Sequence, residues 1–117
     1  MKTFLYILKG ADATVMFPDI NERNGYLGRW GEWIKSMMEK RVFISGLPLS
    51  RNGKNITLRG VSEHIPTDGD KTLLGYGFLT AETIDDATAL FQHSPVAEAD
   101  SIIELYEVEG MPSGVMK

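Results

Sequence analysis

The segment Thr72-Leu73-Leu74-Gly75-Tyr76-Gly77-Phe78-Leu79-Thr80-Ala81 decides how this chain folds. It carries no charge, is rich in aromatic and branched side chains, and is flanked by Lys71 and Glu82, so it reads as a buried strand. Alternation sends Leu74, Tyr76 and Phe78 to one face and Leu73, Gly75, Gly77 and Leu79 to the other. Glycines inside a strand mark close approach, so something is expected to pack tightly over Gly75 and Gly77. Both faces carry large apolar groups, so a helix layer on one face leaves the other in need of cover.

Outward from this strand, further apolar runs supply its neighbours. Thr3 to Leu8, ended by Lys9-Gly10, and Ser101 to Glu109, with Ile102, Ile103, Leu105, Tyr106 and Val108, read as strands. Val42 to Leu49 reads as a short strand or extended segment, with Pro48 suited to an edge or a bend. Arg51-Asn52-Gly53-Lys54 is a turn signal, and Asn55 to Ile65 reads as one alternating strand. Thr67-Asp68-Gly69-Asp70 is a second turn.

Two helices are expected. Leu27, Trp30, Ile34, Met37 and Met38 recur at spacings of three and four, which predicts an amphipathic helix over Gly25 to Lys40 with Asn24 as N-cap. Gly28 and Gly31 within it suggest close approach by another backbone or a ligand. Thr83-Ile84-Asp85-Asp86 resembles a capping box. It opens a second helix with Ile84, Ala87, Leu90 and Phe91 buried, closed by His93-Ser94-Pro95. Gly10 to Arg23 is long for a loop and reads as the rim of a cleft. The fold class is therefore α+β: a ferredoxin-like antiparallel sheet with two helices on one face. A homodimer packing two sheets face to face completes the core. Residues 1–117 form one domain, and Gly110 to Lys117 reads as a loosely held tail.

Composition removes much chemistry. The 117 residues contain no cysteine, which excludes disulfides, thiolate nucleophiles and Cys-ligated metal centres. Two histidines, His64 and His93, are too few for a His-rich metal site, and no metal is expected. Twelve Lys and Arg against sixteen Asp and Glu leave a net charge of −4, which argues against nucleic acid or an anionic membrane as partner. No apolar run approaches the roughly 20 residues of a membrane span, and no targeting signal is visible, so a cytoplasmic location is expected. Glycines between Gly25 and Gly31 lack the strand-to-helix context of a dinucleotide site, so no cofactor is expected.

The ordered motifs resemble the YCII-related (DGPF-domain) family over nearly the whole chain. They are the Trp30-x-x-Trp33 helix, Gly46-Leu47-Pro48-Leu49, Thr67-Asp68-Gly69, Leu74 to Phe78, Ile84 to Ala87, His93-Ser94-Pro95 and Ile103 to Val108. After Thr67-Asp68-Gly69 this chain runs Asp70-Lys71-Thr72 where the family usually continues Pro-Phe. It has tryptophans where some relatives carry a histidine on the first helix. The resemblance implies a dimeric α+β barrel, in a family whose relatives include a chloromuconolactone dehydrochlorinase.

His64, Asp68, Asp70 and Lys71 form the densest polar cluster. As a site, His64 would act as general base with Asp68 fixing its tautomer, and Lys71 would stabilise a developing enolate or carboxylate. As plain structure, the same residues make a solvated turn. Arg59 either clamps a ligand carboxylate or makes a surface ion pair. Trp30 falls on the apolar stripe as core, whereas Trp33, nearer its edge, either packs or lines a pocket. The candidate catalytic residues are thus His64 and Asp68, and the candidate ligand-binding residues are Trp33, Arg59, Asp70 and Lys71. The corresponding function is acid–base chemistry on a small apolar or anionic molecule, an organic acid or lactone, in a cleft between helix and sheet. The alternative is a non-catalytic binding or dimeric interaction module.

Overall fold

The computed structural model describes residues 1–11, 16–50, 52–64, 67–68 and 71–110; for residues 64, 67 and 68 it describes the backbone only. The elements in order are β1 (Lys2–Gly10), α1 (Ile20–Glu39), β2 (Phe43–Pro48), β3 (Gly53–Thr57), β4 (Gly60–His64), β5 (Thr67–Asp68), β6 (Lys71–Ala81), α2 (Ile84–Leu90), a 3-10 turn (Pro95–Glu98) and β7 (Ser101–Glu107). The main sheet has the order β2-β6-β1-β7, antiparallel throughout, with β5 also pairing β6. This is the ferredoxin-like arrangement expected from the sequence. The expected tail falls mostly on residues 111–117, outside the described residues.

The opening segment forms β6, and its alternation decides the two faces. Gly75, Gly77, Leu79 and Ala81 are buried beneath the helices, while Tyr76 and Phe78 are half-buried on the opposite, open face. β-bulges at Leu74 and Ile44 interrupt the register with β1 and β2. The expected close packing is present: Tyr6 of β1 stands opposite Gly77, and a methyl group at Gly77 would overlap the Tyr6 ring. At Gly75 the approaching group is the Leu47 carbonyl, 3.2 Å from where a Cβ would lie.

Helix α1 begins five residues earlier than the spacing predicts. Asp19 rather than Asn24 is the N-cap, and its Oδ1 accepts from the Asn21 N–H at 3.0 Å. Its buried stripe is Tyr26, Trp33 and Met37, whereas Leu27 and Met38 are half exposed. The helix is therefore rotated from the stripe through Leu27 and Met38. The reason is aromatic: Trp33 stacks on Phe91 at 4.8 Å and its Nε1–H donates to the Leu90 carbonyl at 2.9 Å. That bond gives a buried indole donor its partner and closes a carbonyl at the end of α2. The helix ends in a Schellman motif: Arg41 N–H donates to Met38 O and Val42 N–H to Met37 O, with Arg41 left-handed at φ 60°.

Thr83 caps α2, its hydroxyl accepting from Asp86 N–H at 3.1 Å, as the capping signal predicts. Ala87 and Phe91 are buried, but Ile84 is half exposed. The expected single strand over Asn55 to Ile65 is instead the hairpin β3–β4, turning at Leu58-Arg59 with Gly60 at φ 125°. Positive φ is cheap only for glycine, so Gly60 sets the turn, and Gly53 and Lys54 become strand. Arg51 and Ile65 lie outside the described residues.

Gly28 and Gly31 face open space rather than a close neighbour, since a Cβ at either meets nothing within 4 Å. Replacing exposed Gly28 by alanine should therefore stabilise the fold by up to about 1 kcal/mol. Gly77→Ala, forced against the Tyr6 ring, should destabilise it by about 1–3 kcal/mol. Urea unfolding midpoints of the two variants should move in opposite directions.

Candidate functional site

A cleft of about 670 Å³ opens between α1 and the sheet. The helix contributes Tyr26, Leu27, Trp30 and Ile34, β1 contributes Tyr6 and Leu8, and Gly46 and Gly75 lie on the sheet side. The cleft exists because those two glycines lack side chains while Trp33, one turn away, is drawn into the core. Its rim includes Met16 and Phe17, in the long segment that the sequence marks as a rim. Arg23 fastens that segment to the helix start: its Nε donates to Phe17 O at 3.1 Å and its Nη2 to Pro18 O at 3.3 Å. Phe17 in turn stacks on Tyr26 at 4.8 Å.

Among the described residues the cleft lining carries no charged side chain. Its polar groups are the hydroxyls of Tyr6, Tyr26, Ser50 and Thr72 and the Trp30 indole. Tyr6 and Tyr26 are both buried, and the Tyr6 hydroxyl lies over Gly46. Burial holds the Tyr6 phenol above the ordinary value, so it stays protonated and can donate. The buried Trp30 Nε1 has no hydrogen-bond partner and packs edge-on against Trp33 at 5.7 Å.

Of the two roles open to Trp33 the structure shows packing, and Trp30, expected as core, lines the cleft. Trp33 is core, held by Phe91 and the Leu90 carbonyl, and Trp30 is the tryptophan that lines the cleft. A helix phase read from aliphatic spacing misses this, since the deepest contact is made by aromatic stacking. Arg59 sits exposed in the β3–β4 turn, not within a strand, and its backbone N–H donates to Thr57 Oγ1 at 3.2 Å. His64 ends β4 opposite Gly53, so Arg59 and His64 lie at opposite ends of that strand, roughly 16 Å apart along it. Asp68 pairs with Lys71 in the β5–β6 ladder. The side chains of His64 and Asp68, and the whole of Asp70, lie outside the described residues. Lys71 is largely buried and forms an ion pair with Asp100 at 2.6 Å, beside cleft-lining Thr72.

Tyr6 is the cleft residue that sequence reading passes over. Its signal is indirect: a large side chain had to cover the glycine face of β6, and β1 is the strand able to supply it. Among the described residues no three His, Cys, Asp or Glu side chains converge on a metal position. No described helix is long and apolar enough to cross a membrane.

No family model matches the chain, and no curated protein matches it. Among solved structures it is similar to the 5-chloro-2-hydroxyhydroquinone dehydrochlorinase of Burkholderia phenoliruptrix AC1100, in complex with 2,5-dihydroxybenzoquinone. The TM-score is 0.50 at 16% identity, and the match covers 87% of this chain and 90% of that one. At that identity the likeness is one of fold: both chains share an α+β architecture.

The Tyr6 phenol makes stability depend on pH. Its folded-state pKa lies above the unfolded value of about 10, so its contribution is complete below about pH 10 and declines as pH rises beyond it. Tyr6→Phe should therefore lose less stability than the parent between about pH 8 and about pH 10.5, measured by urea unfolding. Equal losses would refute the assignment.

Proposed function

We propose that this chain is a YCII-like protein that holds a small, flat, mostly apolar molecule in the cleft between α1 and the sheet and performs acid–base chemistry on it. The observation that supports this most is the cleft, whose aromatic wall and glycine side give it the size and character of a small-molecule site. Its charge-free lining favours a neutral lactone, phenol or quinone over a carboxylate, since an unpaired anion is costly to bury there. A carboxylate would need Lys71, next to cleft-lining Thr72, to reach in from the rim.

In this reading Tyr6 donates a hydrogen bond to a ligand oxygen where negative charge develops. His64 takes a proton from the carbon beside that carbonyl, with Asp68 orienting the imidazole. The C–H electron pair becomes a C=C bond as a leaving group departs, which makes the reaction lyase-like. The dehydrochlorinase of similar fold belongs to that reaction class by its name. The apolar open face of the sheet, with Leu5, Ile7, Tyr76 and Phe78, supports a homodimer built sheet to sheet. The chain would work in the cytoplasm without a cofactor. A second reading, binding without chemistry, is favoured by the same charge-free lining.

Intrinsic tryptophan fluorescence tests the site, because Trp30 lines it. Titration with 2,5-dimethoxybenzoquinone and with a neutral aryl lactone should quench saturably. Gly31→Leu, which fills open space at the cleft wall, should weaken binding at least tenfold, and Tyr6→Phe about tenfold. His64→Ala and Asp68→Ala should abolish turnover and leave binding intact. Quenching that ignores Gly31→Leu would overturn the cleft as the site. Binding with no product from any lactone or haloquinol would select the second reading.

A further inference from the structure

Gly46 opens the Gly46-Leu47-Pro48-Leu49 segment and lies inside β2, an edge strand of the main sheet. Glycine weakens a strand interior, so its presence there needs a cause. Backbone conformation is not the cause, since among the described glycines only Gly60 has a positive φ. The cause is the Tyr6 hydroxyl. It reaches from β1 across Gly77 of β6 and lies 2.5 Å from where a Gly46 Cβ would stand. The next nearest atoms to that Cβ, Tyr76 O and Gly77 Cα, are 3.1 and 3.3 Å away, so the phenol oxygen is the main obstacle.

The two glycines beneath this side chain serve different ends. A Cβ at Gly77 would overlap ring carbons as well as the oxygen, so Gly77 is required by any aromatic ring at position 6. Gly46 is required by the hydroxyl. The ring has little room to swing aside, because Phe91 and Trp33 pack on it. Tyr6 and Gly46 both line the cleft, and the hydroxyl has no hydrogen-bond partner among the described residues. The next cross-strand pair along the cleft, Leu8 and Gly75, brings no polar side chain. A hydroxyl fixed among apolar neighbours favours a ligand that brings it an acceptor over one that leaves it unpaired.

We infer that Gly46 is a specificity-determining position of the cleft: the space it leaves bare holds the Tyr6 hydroxyl, and that donor selects a carbonyl-bearing ligand over the hydrocarbon of the same shape. The inference rests on the cleft reading proposed above and adds the position that sets its selectivity. A methyl group at position 46 displaces the oxygen and puts an apolar surface in its place.

Calorimetric titration with phthalide, a neutral aryl lactone, and with indane, the hydrocarbon of the same ring skeleton, tests this. The chains compared are the parent, Gly46→Ala, Tyr6→Phe and the double variant. The parent should bind phthalide about tenfold more tightly than indane. Gly46→Ala should remove most of that preference, whereas adding it to Tyr6→Phe should change the preference little. Urea unfolding reads the same contact without a ligand. Gly46→Ala should lower the midpoint of the parent, and lower it less in Tyr6→Phe, where no oxygen stands in the way. A Gly46→Ala chain that fails to fold beside a folded double variant is the same result in its extreme. Three results would overturn the inference and leave the cleft standing: equal affinity of the parent for the two ligands, a phthalide preference that survives Gly46→Ala, or equal midpoint losses in the two backgrounds. A parent that binds neither ligand would overturn the cleft reading and this inference with it.

Discussion

One close approach organises this molecule: the Tyr6 ring lying on Gly77. Gly46, Gly77 and Tyr6 form a row across β2, β6 and β1, and the two glycines let the ring settle over the sheet. Phe91 packs on that ring at 5.3 Å and Trp33 edge-on at 6.1 Å. Trp33 then ties α1 to the end of α2 through the Leu90 carbonyl. Both helices are thus hung from one phenol ring on a strip of bare backbone. The buried cluster around it, Phe4, Met37, Leu79 and Ala87 among others, fills the remaining space.

The same row explains why the cleft lies where it does. On one side of Tyr6 the aromatic stack closes the gap between helix and sheet. On the other, Gly46 and Gly75 offer no side chains, and the helix presents Trp30 and Tyr26 across a space that stays open. Core and site are two halves of one interface, divided by where the glycines fall. The open face of the sheet differs in character. It is apolar at Leu5, Ile7, Tyr76 and Phe78 but contains a Lys9–Glu104 ion pair at 3.1 Å, with the Tyr106 hydroxyl donating to Glu104 at 3.2 Å.

Much of the architecture was legible because strand alternation and capping are local. The segment from Thr72 to Ala81 showed its glycine face, Thr83 its cap, and the whole chain its element order apart from the hairpin. Helix phase was less legible. Leu27, Trp30 and Ile34 repeat as cleanly as Tyr26, Trp33 and Met37, and what separates the two stripes is stacking on Phe91, some 60 residues away in sequence. The hairpin between Asn55 and Ile65 was hidden for a related reason. Its alternation continues through the turn, and Gly60 reads as an ordinary strand glycine until its φ is known.

The sequence by itself determined that the chain is an α+β unit with an apolar two-faced sheet, and that it has no cysteine, which leaves proton transfer to its His, Asp, Glu, Lys, Arg and Tyr residues. These follow from composition and from periods of two and 3.6, which depend only on near neighbours. The tertiary structure decided which tryptophan faces the cleft, that Tyr6 lines it from beneath, and that Arg59 rides on a separate hairpin. Those outcomes depend on register between strands distant in sequence. A ring can occupy a glycine's empty space only once β1 and β6 are aligned so that Tyr6 meets Gly77.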